Sequence, residues 1–120
     1  MGLDQVAFEY ETLEDALAGE KSEEIARWRK HANLQGYMEK VWRKKNPDAT
    51  QLAFNCEAVV LSLEDLDDLE LQITKGTLEH TTGFFFGKSD RYDDELTIDF
   101  IRRARDVIER GNVVTYWSWW

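Results

Sequence analysis

Val6, Phe8 and Tyr10 alternate with polar or small neighbours, the period-two pattern of a strand with one face covered. Thr12-Leu13-Glu14-Asp15 then reads as a capping-box variant, and Gly19 as a stop, so a short helix is predicted over Leu13–Ala18. Residues 20–24 are charged and read as an exposed loop. Ile25–Lys30 fits two periods. On a helix, Ile25, Trp28 and Ala32 would form one stripe; in a strand, Ile25, Arg27 and Arg29 would oppose Ala26, Trp28 and Lys30. An irregular or extended approach is favoured here. Leu34, Tyr37, Met38, Val41 and Trp42 follow at the spacing of an amphipathic helix. Arg43-Lys44-Lys45 suit its C-terminal dipole, and Asn46-Pro47 break it.

Asn55–Leu61 is rich in β-formers and reads as a central strand. Ser62-Leu63-Glu64-Asp65 is a second capping-box variant, opening a helix through Leu66, Leu69 and Ile73 to Gly76. Asp90–Asp94 supplies an acidic helix start. Leu96, Phe100, Ala104 and Val107/Ile108 carry its buried stripe to Gly111, and a last strand begins at Val113. The predicted fold class is therefore α+β: one domain over residues 1–120, with a small antiparallel or mixed sheet of about four strands and three main helices on one face.

Charge changes this picture by being uneven. The net charge of −9 argues against nonspecific binding to nucleic acid or anionic membrane. Residues 1–20 hold six acids and no base, whereas residues 21–45 hold eight bases and three acids. An anionic group would therefore be drawn to the basic island. Glu64, Asp65, Asp67, Asp68 and Glu70 crowd one predicted helix; nucleic-acid mimicry is one reading, and a solvated face is favoured over it. One cysteine, Cys56, excludes an internal disulfide and suits a reducing cytoplasm, and with two histidines a structural zinc site is not expected. No apolar run is long enough for a membrane span, and the acidic opening MGLDQVAFEYE does not read as a secretory leader. No cofactor is expected.

Aromatic residues are concentrated in three blocks. Trp28-Arg29-Lys30-His31 sets a stacking surface beside cations and an imidazole, a combination suited to a phosphate or carboxylate next to an aromatic ring; the alternative is a core tryptophan with solvated cations. Phe84, Phe85 and Phe86 lie between Gly83 and Gly87, and a buried connector is favoured over a ligand platform. Trp117, Trp119 and Trp120 close the chain. In a strand, Trp117 and Trp119 share a face with Thr115, while Tyr116, Ser118 and Trp120 share the other. Three such rings require cover from the phenylalanines, a ligand or a second subunit. Gly87-Lys88-Ser89 ends like a phosphate loop, but position 82 is threonine where that loop needs glycine. The candidate binding set is thus Trp28, Arg29, Lys30, His31, Phe84, Phe85, Phe86, Lys88, Trp117, Trp119 and Trp120. No catalytic series is recognisable by spacing.

The opening Met1-Gly2-Leu3-Asp4, the Trp28–His31 block with its helix to Trp42, the Gly83–Gly87 segment and the ending Tyr116–Trp120 together resemble a family of small bacteriophage proteins. Gln5-Val6 departs from the more apolar continuation expected there. Members are often labelled phosphoglycerate kinase, although 120 residues cannot hold that enzyme's two-domain cleft. The resemblance implies a phage-encoded protein acting in the host cytoplasm and carries over no catalytic residue. It leads to the expectation of a non-catalytic binder. Its ligand would be an anionic aromatic molecule such as a nucleotide immune signal, met by the three aromatic blocks and Arg29 and Lys30. The alternative is an inhibitor that docks on a host protein through an exposed aromatic patch. A homodimer is compatible with either.

Overall fold

The computed structural model of the chain describes residues 2–48, 54, 56–81 and 89–120. In chain order the elements are β1 (Asp4–Tyr10), α1 (Leu13–Ala18), β2 (Glu23–Arg29), α2 (Ala32–Lys45), β3 (Val59–Leu61), α3 (Leu63–Thr74), α4 (Arg91–Glu109) and β4 (Val113–Trp119). The strands form one antiparallel sheet in the order β2-β1-β4-β3. This is the expected α+β architecture.

The helices start where local chemistry says they should. Thr12 Oγ1 accepts from the Asp15 amide, and the Ser62/Asp65 and Asp90/Asp93 pairs close full capping boxes. Gly19 ends α1 in the left-handed region, where a β-carbon would be costly.

Alternation along the strands divides the sheet into two faces. The inner face presents Ala7, Trp28, Val59, Leu61, Val114 and Tyr116 to the apolar stripes of α2, α3 and α4. Trp28 anchors it: the ring meets Phe100 edge-on at 5.0 Å, and its indole N–H donates to Thr97 Oγ1 at 3.0 Å. A polar chain runs through this core. The Gln5 side chain accepts from the His31 amide and donates to the His31 carbonyl and to Tyr116 Oη, which donates in turn to Gln35 Oε1. The series ends at Gln35, whose Nε2 is buried without a hydrogen-bond partner, but its bonded links favour one register, because each group deprived of its partner would cost more than the bond contributes.

Two sequence expectations change. Residues 23–29 form a regular strand rather than an irregular approach, since β1 offers a ladder that local propensity cannot anticipate. The third strand is neither long nor central. Cys56 adopts φ +62°, so only Val59–Leu61 remains extended, at the edge of the sheet. The three main helices share the inner face as expected, and the short α1 packs on the outer side of β1 and β4. Both edge strands are guarded. Arg103 donates to the Ile25 carbonyl at 3.1 Å and Lys45 to the Val60 carbonyl at 2.5 Å, and a bulge interrupts β2 opposite Ala7/Phe8.

Candidate functional site

The outer face of the sheet is where side chains remain uncommitted. Across it, Phe8 pairs with Thr115, Val6 with Trp117 and Asp4 with Trp119. On the other side of β1, Val6 faces Arg27 and Asp4 faces Arg29. Trp117 and Trp119, two residues apart on one strand, lean together with centroids 5.1 Å apart and planes at 40°. Trp119 keeps 38 % of its surface exposed. The far half of this face lies beneath α1, whose Ala16 is buried while Leu13 and Leu17 are 52 % and 77 % exposed. Between α1 and the sheet is a cavity of about 380 Å³ lined by Phe8, Tyr10, Leu17, Cys56, Ala58 and Trp117. Exposed leucine and tryptophan on one face make an apolar patch of the kind that marks a contact surface.

Charges rim this patch in both signs. Arg27 is held by Glu24 at 2.7 Å, which raises its pKa. Arg29 has no ion-pair partner among the described residues, and its backbone lies about two strand spacings, roughly 10 Å, from that of Trp119. Asp4 lies between them. The α1 end carries Glu11, Glu14, Asp15 and Glu20, with Lys21 and Arg110 beside Glu11.

The sequence-predicted site residues therefore separate. Arg29, Trp117 and Trp119 share the outer face. Trp28, 2 % exposed, is core and points to the opposite side of the sheet. Lys30 is exposed at the end of β2 with φ +59°. Trp120 packs against Leu3 and Ala32. Phe84, Phe85, Phe86 and Lys88 lie outside the described residues.

His31 is buried at the start of α2. Its Nδ1 meets Ser89 Oγ at 2.7 Å, and Nε2 lies 3.6 Å from Asp94 Oδ1. The order serine, histidine, aspartate resembles a nucleophile–base–acid series, but its environment serves another purpose. The imidazole has no exposed surface, and burial pulls its pKa down to about 4, the Asp90 carboxylate offsetting part of the effect. Ser89 Oγ also accepts from the Asn33 amide at 2.9 Å, supplying the N-terminal cap of α2 that His31 itself does not make. The set joins α2 to α4.

Four of the five acids on α3 already have partners within the chain. Asp67 and Glu70 hold Arg105 at 2.7 and 3.0 Å, Asp65 holds Lys45, and Asp68 accepts from Tyr37 Oη at 2.8 Å. The cleft of about 370 Å³ between α2 and α3 is walled by Tyr37, Asp65 and Asp68 among these groups, and by the Lys40–Glu79 pair. Among the described residues no cluster of histidine, cysteine or carboxylate side chains could hold a metal ion, and no helix is long and apolar enough to cross a membrane.

The sequence reading missed Phe8, Leu13 and Leu17 as members of this surface. Their signal was present, since Leu13 and Leu17 are four apart on a helix too short to bury both beside Ala16. Comparison with protein-family models, with curated proteins and with solved structures finds no match.

Proposed function

We propose that the protein is a non-catalytic binder whose recognition surface is the outer face of the sheet, and that its partner is a protein docked on the exposed aromatic patch. The observation that carries this reading is the exposed Trp119, braced on Trp117, on the same face as the exposed Leu13 and Leu17. Large apolar side chains ringed by polar groups are the usual make-up of a protein-binding hot spot. The resemblance to phage proteins sets this activity in an infected bacterial host, where such a binder would inhibit a host protein.

A nucleotide-like ligand is the second reading, supported by Arg29 and two adjacent indole rings on one face. It is the weaker of the two. Asp4 lies between the cation and the rings, and Arg27 is committed to Glu24, so the face offers an anion little net attraction. Trp28 and His31, which would have completed the pocket, are core.

Immobilised protein incubated with host lysate tests the choice. Wild type is expected to retain one host protein at equal stoichiometry, and Trp119→Ala and Leu17→Glu to lose it. Retention by both variants would overturn the surface assignment. A nucleotide found by native mass spectrometry in place of a protein would favour the second reading.

A further inference from the structure

We propose that the cavity between α1 and the sheet is a binding site for one small, uncharged aromatic molecule that carries a hydrogen-bonding group. This is a second ligand, held beneath α1, and it does not depend on what docks around Trp119.

The lining decides the class of ligand. Among the described residues no charged side chain faces this cavity, in a chain where 32 % of the residues are charged. The clefts between α2 and α3, between α3 and α4, and around Glu9 and Arg110 are each walled by acids and bases. An ion entering the α1 cavity would lose water and meet no counter-charge, so the ligand is neutral. From the sheet, Phe8, Tyr10 and Trp117 present three rings, the first two with centroids 6.3 Å apart and planes at 60°. From the other side, α1 and its cap offer only Ala16, Ala18 and Gly19 besides Leu17, which leaves the space over the rings unfilled. A flat ring can settle there edge-on or offset against its neighbours. The volume of about 380 Å³ suits a small molecule, whose sites span about 300–1,000 Å³.

Two hydroxyls add the polar requirement. Thr115 and Tyr10 line the cavity at 2 % and 6 % exposure, and neither hydroxyl has a hydrogen-bond partner among the described residues. Phe8 stands opposite Thr115 across β1 and β4, and Tyr10 is its next diagonal neighbour, so both hydroxyls border the same rings. Buried hydroxyls are normally paired. A ligand N–H, hydroxyl or carbonyl would pair them where a plain hydrocarbon would not. Cys56 and Ala58 line the cavity and are exposed, which marks its mouth and gives a ligand a way in.

Titration of the purified full chain with phenylnaphthylamine, an uncharged fluorescent aromatic with one N–H, tests the assignment. Saturable emission at one probe per chain is expected. Anilinonaphthalene sulfonate, the same rings with a fixed anion, should bind at least about tenfold more weakly. Thr115→Val, which removes the hydroxyl and keeps the shape, should weaken the uncharged probe about fivefold. Ala58→Trp at the exposed mouth should abolish uptake, and unchanged melting curves would confirm that both variants fold. In the unaltered protein, bound probe should also slow the reaction of Cys56, the single cysteine, with a thiol reagent. No saturable uptake, equal binding of the sulfonate, uptake indifferent to both substitutions, or a Cys56 as reactive as before would each overturn the proposal. No host component is present, so either result leaves the host-protein reading standing.

Discussion

Acidification should weaken this fold through one imidazole. His31 is buried between the start of α2 and Ser89, Asp90 and Asp94 at the start of α4, and its pKa falls from the ordinary 6.5 to about 4. A histidine whose folded pKa lies below its unfolded one binds a proton more readily when unfolded. Its contribution is therefore intact above the unfolded value and is lost as the pH falls from about 6.5 towards 4. The full shift corresponds to about 3 kcal/mol. Between about pH 7.5 and pH 5, where the unfolded histidine is protonated and the buried one is not, about 2 kcal/mol should disappear. Urea denaturation of wild type and His31→Gln at the two pH values measures it. The variant should be less stable at neutral pH, having lost the bond to Ser89, but its stability should change less on acidification. Asp93 and Asp94, whose pKa values burial raises, titrate in both proteins and drop out of the difference. Parallel pH profiles for the two proteins would refute the placement of His31 as a buried neutral base.

Two further substitutions probe the frame that holds the outer face. Gln5→Leu should cost about 2–5 kcal/mol by chemical denaturation, because the His31 amide and carbonyl would both be left buried without partners; a loss below about 1 kcal/mol would mean that water reaches them. Gly36→Ala, which helix propensity alone would make stabilising by about 1 kcal/mol, should instead destabilise by about 1–3 kcal/mol. A β-carbon there would overlap the Thr81 side chain, itself held through its amide by Asn33, and a rise in Tm would contradict that contact.

The parts of this structure legible in the sequence are those decided within a few residues. The caps at Thr12, Ser62 and Asp90 mark three helix starts because each acts on an amide three positions on. Strand alternation likewise separates Trp117 and Trp119 from Tyr116 and Ser118. What was not legible depends on distant partners. Whether residues 23–29 form a strand is settled by β1, and which side of it Trp28 faces is settled by Thr97 and Phe100, some 70 residues on. Ser89 caps a helix that begins 57 residues before it, and no spacing rule reaches that far. Gln5 stood out as a polar residue in an apolar context; its meaning as the hub joining β1, α2 and β4 appears only in three dimensions. Aromatic content alone does not separate core from surface, because the sheet puts Trp28 and Tyr116 on its buried inner face and Trp117 and Trp119 on its outer one.

The outer face as recognition surface is tested most directly by hydroxyl-radical footprinting of the protein alone and bound to the host partner it captures. Protection on binding is expected at Leu13, Leu17 and Trp119, with the core Trp28 unreactive throughout. Protection confined to the α2–α3 cleft around Tyr37, Lys40 and Lys44, with Trp119 as reactive as before, would contradict the account.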